Sequence, residues 1–304
     1  MEPILRFAAI ADVQYADKDD VERKLYRSSL DCLKACVKEL NQEKYHDLDF
    51  TVQVGDLIDG NESEEKTVED LQTAVKELNQ ISTSGRPHYN VIGNHCVRAP
   101  RSILRKVLLT DRNLEKGSTQ FHYFTFCMKG WRFIVLDHQS ISFDARDVED
   151  GTQEVRHEEA KLTLAALEGK SVHHAVAWGG ALGEEQRQWF RKELEQAKQS
   201  GERVGIFSHI PVYREATSER HLAWDYEQVL SLLDSFSDIV KFYMAGHYHA
   251  GGYALRNGVH HITLEAMLET DLSKYKTSYA IVSLDAKSII IEGEGNCTSR
   301  TLWI

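Results

Sequence analysis

Seven residues with oxygen or nitrogen donors stand directly after apolar, strand-like runs of this chain. Asp12 and Gln14 follow "ILRFAAIA", Asp56 stands in "GDLID" after "FTVQV", and Asn94 stands in "GNH" after "HYNVI". His209 in "SHIP" ends "RVGIFS", and His247 and His249 in "GHYH" follow "IVKFYMA". Two carboxylates, two amides and three imidazoles form a mixed donor set without thiolate, which disfavours a structural zinc cluster. Imidazole with carboxylate suits manganese, iron, zinc or cobalt, and magnesium less well. Seven donors are too many for one ion, whereas two ions sharing a carboxylate would use them all. Gly55, Gly93 and Gly246 each precede a donor, where a sharp turn or a close backbone approach is needed. His247 and His249 are two apart, so an extended segment aims both to one side.

Each fragment alone has a plain structural explanation. "GD" is a common turn, Asn and His cap turns, and a surface histidine pair needs no metal. Their recurrence at one strand end after another is what points to a site, because ligands of α/β sheets bind beyond the carboxyl ends of the strands.

The elements that must position these residues are legible in the pattern. Apolar runs predict strands at 4–11, 50–54, 88–92, 120–128, 131–137, 203–208, 239–245, 260–266, 278–284 and 288–294. Apolar spacings of three and four predict helices over 22–44, 64–82, 155–168, 184–199 and 225–236. Lys129–Gly130 and "DAKS" read as hairpin turns. Early strand–helix alternation implies parallel pairs and the later hairpins antiparallel ones, so the expected class is mixed α/β, with two packed sheets and outer helices. The chain is expected to be a single domain over 1–304, with a polar insertion or lid around 138–182.

The series D-x-[HQ], G-D-x-x-D, G-N-H, a strand-end His and G-H-x-H resembles the calcineurin-like metallophosphoesterase superfamily. Within it, "ADVQYAD", "GDLIDG", "FSHIPV", "LAWDYE", "GHYHAGGY" and "HHITLEAMLET" look like the manganese-dependent ADP-ribose/CDP-alcohol diphosphatases, where glutamine regularly replaces the first-motif histidine. The resemblance implies a four-layer αββα fold with two mixed sheets flanked by helices. It implies a first divalent ion on Asp12, Gln14, Asp56 and His249, and a second on Asp56, Asn94, His209 and His247. Manganese is the first choice, with magnesium, zinc or iron as further candidates. His95 would be the catalytic histidine, and Asp59 would support its loop. The implied reaction splits the diphosphate of ADP-ribose or a CDP-alcohol into a nucleoside monophosphate and a second phosphomonoester, by in-line attack of a metal-bridging hydroxide. The alternatives are a cyclic-nucleotide phosphodiesterase or phosphomonoesterase of the same superfamily and, less favoured, a non-catalytic scaffold.

Substrate contacts are expected from Tyr15 and Tyr253, which flank motifs, and from Arg98 in "RAPRSILRK", with Arg101 as its rival. Trp178 is a further stacking candidate, and Trp224 reads as packing at a helix start. The short segment after Asp17, and Ala254, depart from the subfamily pattern where substrate preference is set.

Composition limits the alternatives. The formal charge of −11 disfavours a general nucleic-acid binder, which needs a basic stripe, while two divalent ions would make the site locally positive. No run approaches the roughly eighteen apolar residues of a membrane span. Arg6 and Asp12 interrupt the first apolar stretch, unlike a secretory signal. Five scattered cysteines imply a reducing compartment and a cytoplasmic protein, with Cys32 and Cys36 on one buried helix face. The expected partner is a nucleoside-diphosphate-linked small molecule, with no nucleic acid and no membrane.

Overall fold

The computed structural model describes residues 5–109, 122–143 and 153–304. Strands β1 (Leu5–Ile10), β2 (Phe50–Gln53) and β3 (His88–Asn90) run parallel and form half of one sheet. The other half is β10 (Tyr279–Leu284), β11 (Ser288–Glu294) and β12 (Arg300–Trp303), joined antiparallel to β1 in the order β12-β11-β10-β1-β2-β3. A second sheet has β4 (Phe124–Met128), β5 (Trp131–Val135), β6 (Arg203–Phe207), β7 (Val240–Ala245), β9 (Val259–Thr263) and β8 (Gly252–Arg256) in that spatial order. Its four inner strands are parallel, and β4 and β8 pair antiparallel at its edges.

The period-two pleat sorts side chains between layers. On β1, Phe7 and Ala9 face the second sheet, whereas Ala8 and Ile10 face helices α1 (Ser29–Leu40), α2 (Glu64–Leu78) and α3 (Arg101–Leu108). On β7, Phe242 and Met244 point inward between the sheets, while Tyr243 and Ala245 meet α5 (Gly183–Ser200) and α6 (Tyr226–Ser235). The layers are therefore helix, sheet, sheet and helix, as expected. Phe7 stacks on Phe50 at 4.7 Å between centroids, and Phe207 of the other sheet meets Phe7 edge-on at 5.5 Å. Burial of each ring stabilises the fold by roughly 1.5–3 kcal/mol, with about 0.5–1.5 kcal/mol more for each well-placed aromatic pair. This aromatic layer holds one sheet's strand ends against the other's.

The structure departs from expectation in several elements. Residues 22–28 are not helical, and α1 begins only at Ser29. The Asp20 carboxylate accepts from the backbone N–H groups of Arg27 (2.8 Å) and Ser28 (3.2 Å), offering that backbone an alternative to helix. Strands β8 and β12 were not anticipated. The region expected to be an insertion holds α4 (Gln153–Glu168), and 144–152 within it lies outside the described residues, as do 120–121 of the run expected to form β4. Cys32 and Cys36 are buried on one face of α1, and Cys96 and Cys297 are likewise buried free thiols. Among the described residues, no helix is long and apolar enough to cross a membrane.

Candidate metal centre

The chain leaves β1, β2, β3, β6 and β7 at one edge of the two-sheet stack and delivers the expected donors there. Four of them occupy left-handed backbone: Asp12 (φ 49°), Gln14 (φ 44°), Asp56 (φ 54°) and His247 (φ 70°). That region is strained for residues with a Cβ, at about 1–3 kcal/mol each, and such strain clusters at functional sites. Two backbone bonds run from the first turn to the second and hold them together: Asp12 N–H donates to Gly55 O at 3.2 Å and Gln14 N–H to Asp56 O at 2.9 Å. A bond from Gly246 N–H to His209 O at 3.1 Å ties the two turns of the second sheet together. A Cβ on Gly93 would strike the Asp56 carboxylate, and one on Gly246 would strike that of Asp12.

The side chains then converge. Asp56, His209 and His247 offer ligand atoms within 4.8 Å of one another, and all three are buried. His209 Nδ1 lies 3.0 Å from the carbonyl of Val54 and donates to it, so its Nε2 lone pair points at Asp56 Oδ2 and Asn94 Oδ1, each at 3.1 Å. His249 Nδ1 faces Glu269 Oε1 at 2.9 Å, which turns its Nε2 toward Gln14 Nε2 (3.3 Å) and Asp12 Oδ1 (3.8 Å). Asp12 takes the backbone N–H of His247 on both carboxylate oxygens, at 3.0 and 3.1 Å.

These residues fit divalent cations. His209 Nε2 thus meets two further acceptors, Asp56 Oδ2 and Asn94 Oδ1, an arrangement that a proton or a cation at that nitrogen satisfies. Gln14 Oε1 and His247 Nε2 are buried, with no hydrogen-bond partner among the described residues. Rotating the Gln14 amide by half a turn exchanges its nitrogen and oxygen, presenting oxygen to the same space. Without cations the charges are costly. Burial pushes the Asp12 carboxyl above its ordinary value, Asp56 adds to that, and His209 and His249 oppose it. Burial also works against charging His209, yet Asp56 beside it wins and pushes the imidazole up to about 9. Burial and the neighbouring His209 and His221 keep His247 neutral, its lone pair available.

His95 stands beside this set. Its backbone N–H donates to Asp56 Oδ1 at 2.8 Å, and its Nδ1 lies 3.0 Å from the Asp59 carbonyl and 3.1 Å from Asp59 Oδ1. Asp59 is itself paired with Lys18, so it supports the loop and directs His95 Nε2 outward. A cavity of about 500 Å³ opens over Gln14, Asn94, His247 and His249, with His95 and Arg98 on its lining. Trp178, His221 and Tyr248 also line it, together with Lys24 and Glu269.

Two expected substrate contacts are not there. Tyr15 is only 7% exposed and packs in the core beneath α1, because its backbone pairs with Ile58 and turns the ring opposite to Gln14. Tyr253 sits on β8, its hydroxyl 3.0 Å from His260 Nδ1 and its ring packed on the inter-sheet core. Arg98 does reach the cavity, whereas Arg101 is buried in an ion pair with Asp137 at 2.9 Å. Trp224 is buried and donates Nε1–H to the Val176 carbonyl, a packing residue as expected. Glu269, His221 and Tyr248 were missed. Glu269 lies in "HHITLEAMLET", a stretch noted for resemblance and assigned no role; His221, on a short 3-10 turn, carries no spacing signal.

The chain is similar to known proteins over most of its length. The calcineurin-like phosphoesterase family model matches residues 5–251. A manganese-dependent ADP-ribose/CDP-alcohol diphosphatase of Mus musculus is 29% identical, covering 99% of this chain and 94% of the relative. Its Arabidopsis thaliana counterpart is 30% identical, covering 95% of this chain and 94% of the relative. The solved structure of a dimetal phosphatase from Danio rerio superposes with a TM-score of 0.86 at 29% identity, covering 99% of both chains. Fold, strand-end donors and full-length similarity agree, and the chain belongs to the calcineurin-like phosphoesterase family.

Proposed function

We propose that the protein is a divalent-cation-dependent hydrolase that cleaves the diphosphate of ADP-ribose and CDP-alcohols, with manganese as its preferred cation. The observation that carries this reading is the convergence of the seven donors at one strand-end edge, with Gln14, Asn94, His247 and His249 beside His95 on the lining of one cavity and Asp12, Asp56 and His209 buried against them. It occurs in a chain that matches the named diphosphatases over 95–99% of its length.

Asp12, Gln14, Asp56 and His249 would hold one cation, and Asp56, Asn94, His209 and His247 the other. When bound, divalent cations supply Lewis acidity at phosphoryl oxygens and a water of lowered pKa. The chain's own residues do the rest. His209 and His249 each spend Nδ1–H on a fixed acceptor, which locks the tautomer that leaves Nε2 free. His95 is held by Asp59 so that Nε2 faces the cavity. Burial opposes its protonation, but Asp56 and Asp59 raise its pKa above the ordinary imidazole value. If cations were held on Asp56, Asp59 would be the group left to favour the protonated imidazole, against the cations' own charge. A protonated His95 Nε2 can then neutralise the phosphoryl group or give its proton to the leaving phosphate oxygen, help worth about 10²–10⁴-fold. Arg98, its stem against Gly60, places a cation at the cavity rim for the diphosphate.

The test is a substrate panel with manganese, with magnesium and without metal. ADP-ribose should yield AMP and ribose 5-phosphate, and CDP-choline should yield CMP and phosphocholine, fastest with manganese. Hydrolysis of monoesters or cyclic nucleotides alone would overturn the reading. We also place the protein in the cytoplasm, a reading that the buried free thiols of Cys32, Cys36, Cys96 and Cys297 support.

A further inference from the structure

Beyond the donors, the cavity contains a group of aromatic rings that phosphoryl chemistry does not require. Trp178 is half-buried, with its ring centroid 5.1 Å from that of His247 and 5.1 Å from that of His221. His221 in turn lies 5.0 Å from the Tyr248 ring, and its Nδ1 is fixed 2.9 Å from Ser218 Oγ. All three rings are neither buried like core aromatics nor fully exposed.

The backbone under Trp178 is fastened on both sides. Gly179 N–H and Trp224 Nε1–H both donate to the Val176 carbonyl, at 3.0 and 3.1 Å, and Trp224 N–H donates to Gly180 O at 2.9 Å. Gly179 lies against the Trp224 ring and Gly180 against the His138 carbonyl, with no room for a Cβ at either. An indole presented from so constrained a turn is preorganised, and ordering it on binding costs little. Nearly every nucleobase can stack on such a face, because stacking needs a π-surface and no particular hydrogen-bond pattern.

We infer that the exposed faces of Trp178 and His221, beside His247, form a stacking cradle for the nucleobase of the substrate, an inference that rests on the diphosphatase reading above. The phosphate next to the nucleoside then lies over the donor set, within reach of His95 and Arg98. The cradle accepts purine and pyrimidine alike, so one site serves adenosine- and cytidine-linked diphosphates. The other half of the substrate extends past His249 toward an adjoining cavity of about 740 Å³, which shares His249, Ala250 and Glu269 with the first.

The test is equilibrium binding of AMP, CMP and ribose 5-phosphate to the manganese-loaded protein by calorimetry. Trp178→Ala should weaken AMP by about tenfold or more, CMP by somewhat less, and ribose 5-phosphate hardly at all. Trp178→Phe, which keeps a ring, should recover most of the AMP affinity. Equal weakening of all three ligands would show that Trp178 merely packs His247, and unchanged AMP affinity would likewise overturn the cradle. The two readings fail separately: Trp178-dependent AMP binding without hydrolysis of ADP-ribose would sink the proposed function and leave the cradle standing.

Discussion

Glu269 accepts from His249 Nδ1 at 2.9 Å, and its other oxygen lies 3.5 Å from the Arg23 guanidinium. A carboxylate behind an imidazole fixes the ring's orientation and tautomer and raises the basicity of the opposite nitrogen. His249 Nε2 is the nitrogen aimed at Asp12 and Gln14, so in the proposed centre Glu269 would be a positioning residue for the first cation. Gln14, an amide, would give that cation less than a histidine would, which would increase the dependence on His249. Glu269→Ala should weaken manganese binding by about 10–100-fold, while Glu269→Gln, which can still accept from Nδ1–H, should lose less. Metal content after dialysis against graded manganese measures both. Equal retention in all three proteins would show that Glu269 does nothing for the centre.

At the scale of elements, the short turns at the strand ends do the positioning, and their glycines are there for space. Gly93 lies directly against the Asp56 carboxylate and backbone nitrogen, whereas Gly201, the left-handed cap of α5 (φ 66°), has open space around it. Gly201→Ala should cost only its left-handed strain, about 1–2 kcal/mol. Gly93→Ala must push Asp56 aside, so it should lower the unfolding temperature and also abolish manganese binding. Thermal unfolding with a manganese titration separates them, and an intact titration in Gly93→Ala would refute the spacing argument. The donors were legible because each follows a strand end within a few residues, where a local motif records a local turn. The aromatic contacts were not, because adjacency to a ligand along the chain does not mean adjacency in space. Tyr15 follows Gln14 yet points into the core, and Tyr253 belongs to a strand that sequence periodicity hid. That strand had a signal: Asn257 (φ 49°) and Gly258 (φ 85°) make the two-residue turn between β8 and β9, and Asn-Gly is a strong hairpin cue. Strand β12 is four residues long and carries the exposed Trp303, so no alternation announced it. Trp178, named as a stacking candidate, does line the cavity, whereas Glu269 reaches it by tertiary packing of distant segments, which no local pattern encodes.

At the scale of the whole molecule, the fold tolerates a centre that is unfavourable until cations arrive. Asp12 is fully buried with a folded pKa raised above 3.8, burial being the largest cause and Asp56 a further one. A carboxyl with a raised folded value favours folding in its protonated form. Its contribution is therefore most favourable below the unfolded pKa and is lost as pH rises through the folded pKa. At neutral pH the metal-free protein bears that cost, and manganese removes it by giving the carboxylate a counter-charge. Saturation at about 100 times the dissociation constant adds ~2.7 kcal/mol, an upward shift on the order of 5 °C for a chain of this size. Asp12→Asn reverses the balance. In chelator, with the buried charge removed, the variant should unfold at or above the wild-type temperature and show a shallower loss of stability as pH rises above about 4. In manganese it should fall below wild type, because a ligand to the first cation has gone. The two melting curves should thus cross between chelator and metal. A variant less stable than wild type in both conditions would mean that the Asp12–His247 backbone hydrogen bonds, at 3.0 and 3.1 Å, outweigh the buried charge, and that Asp12 supports the fold as much as the site.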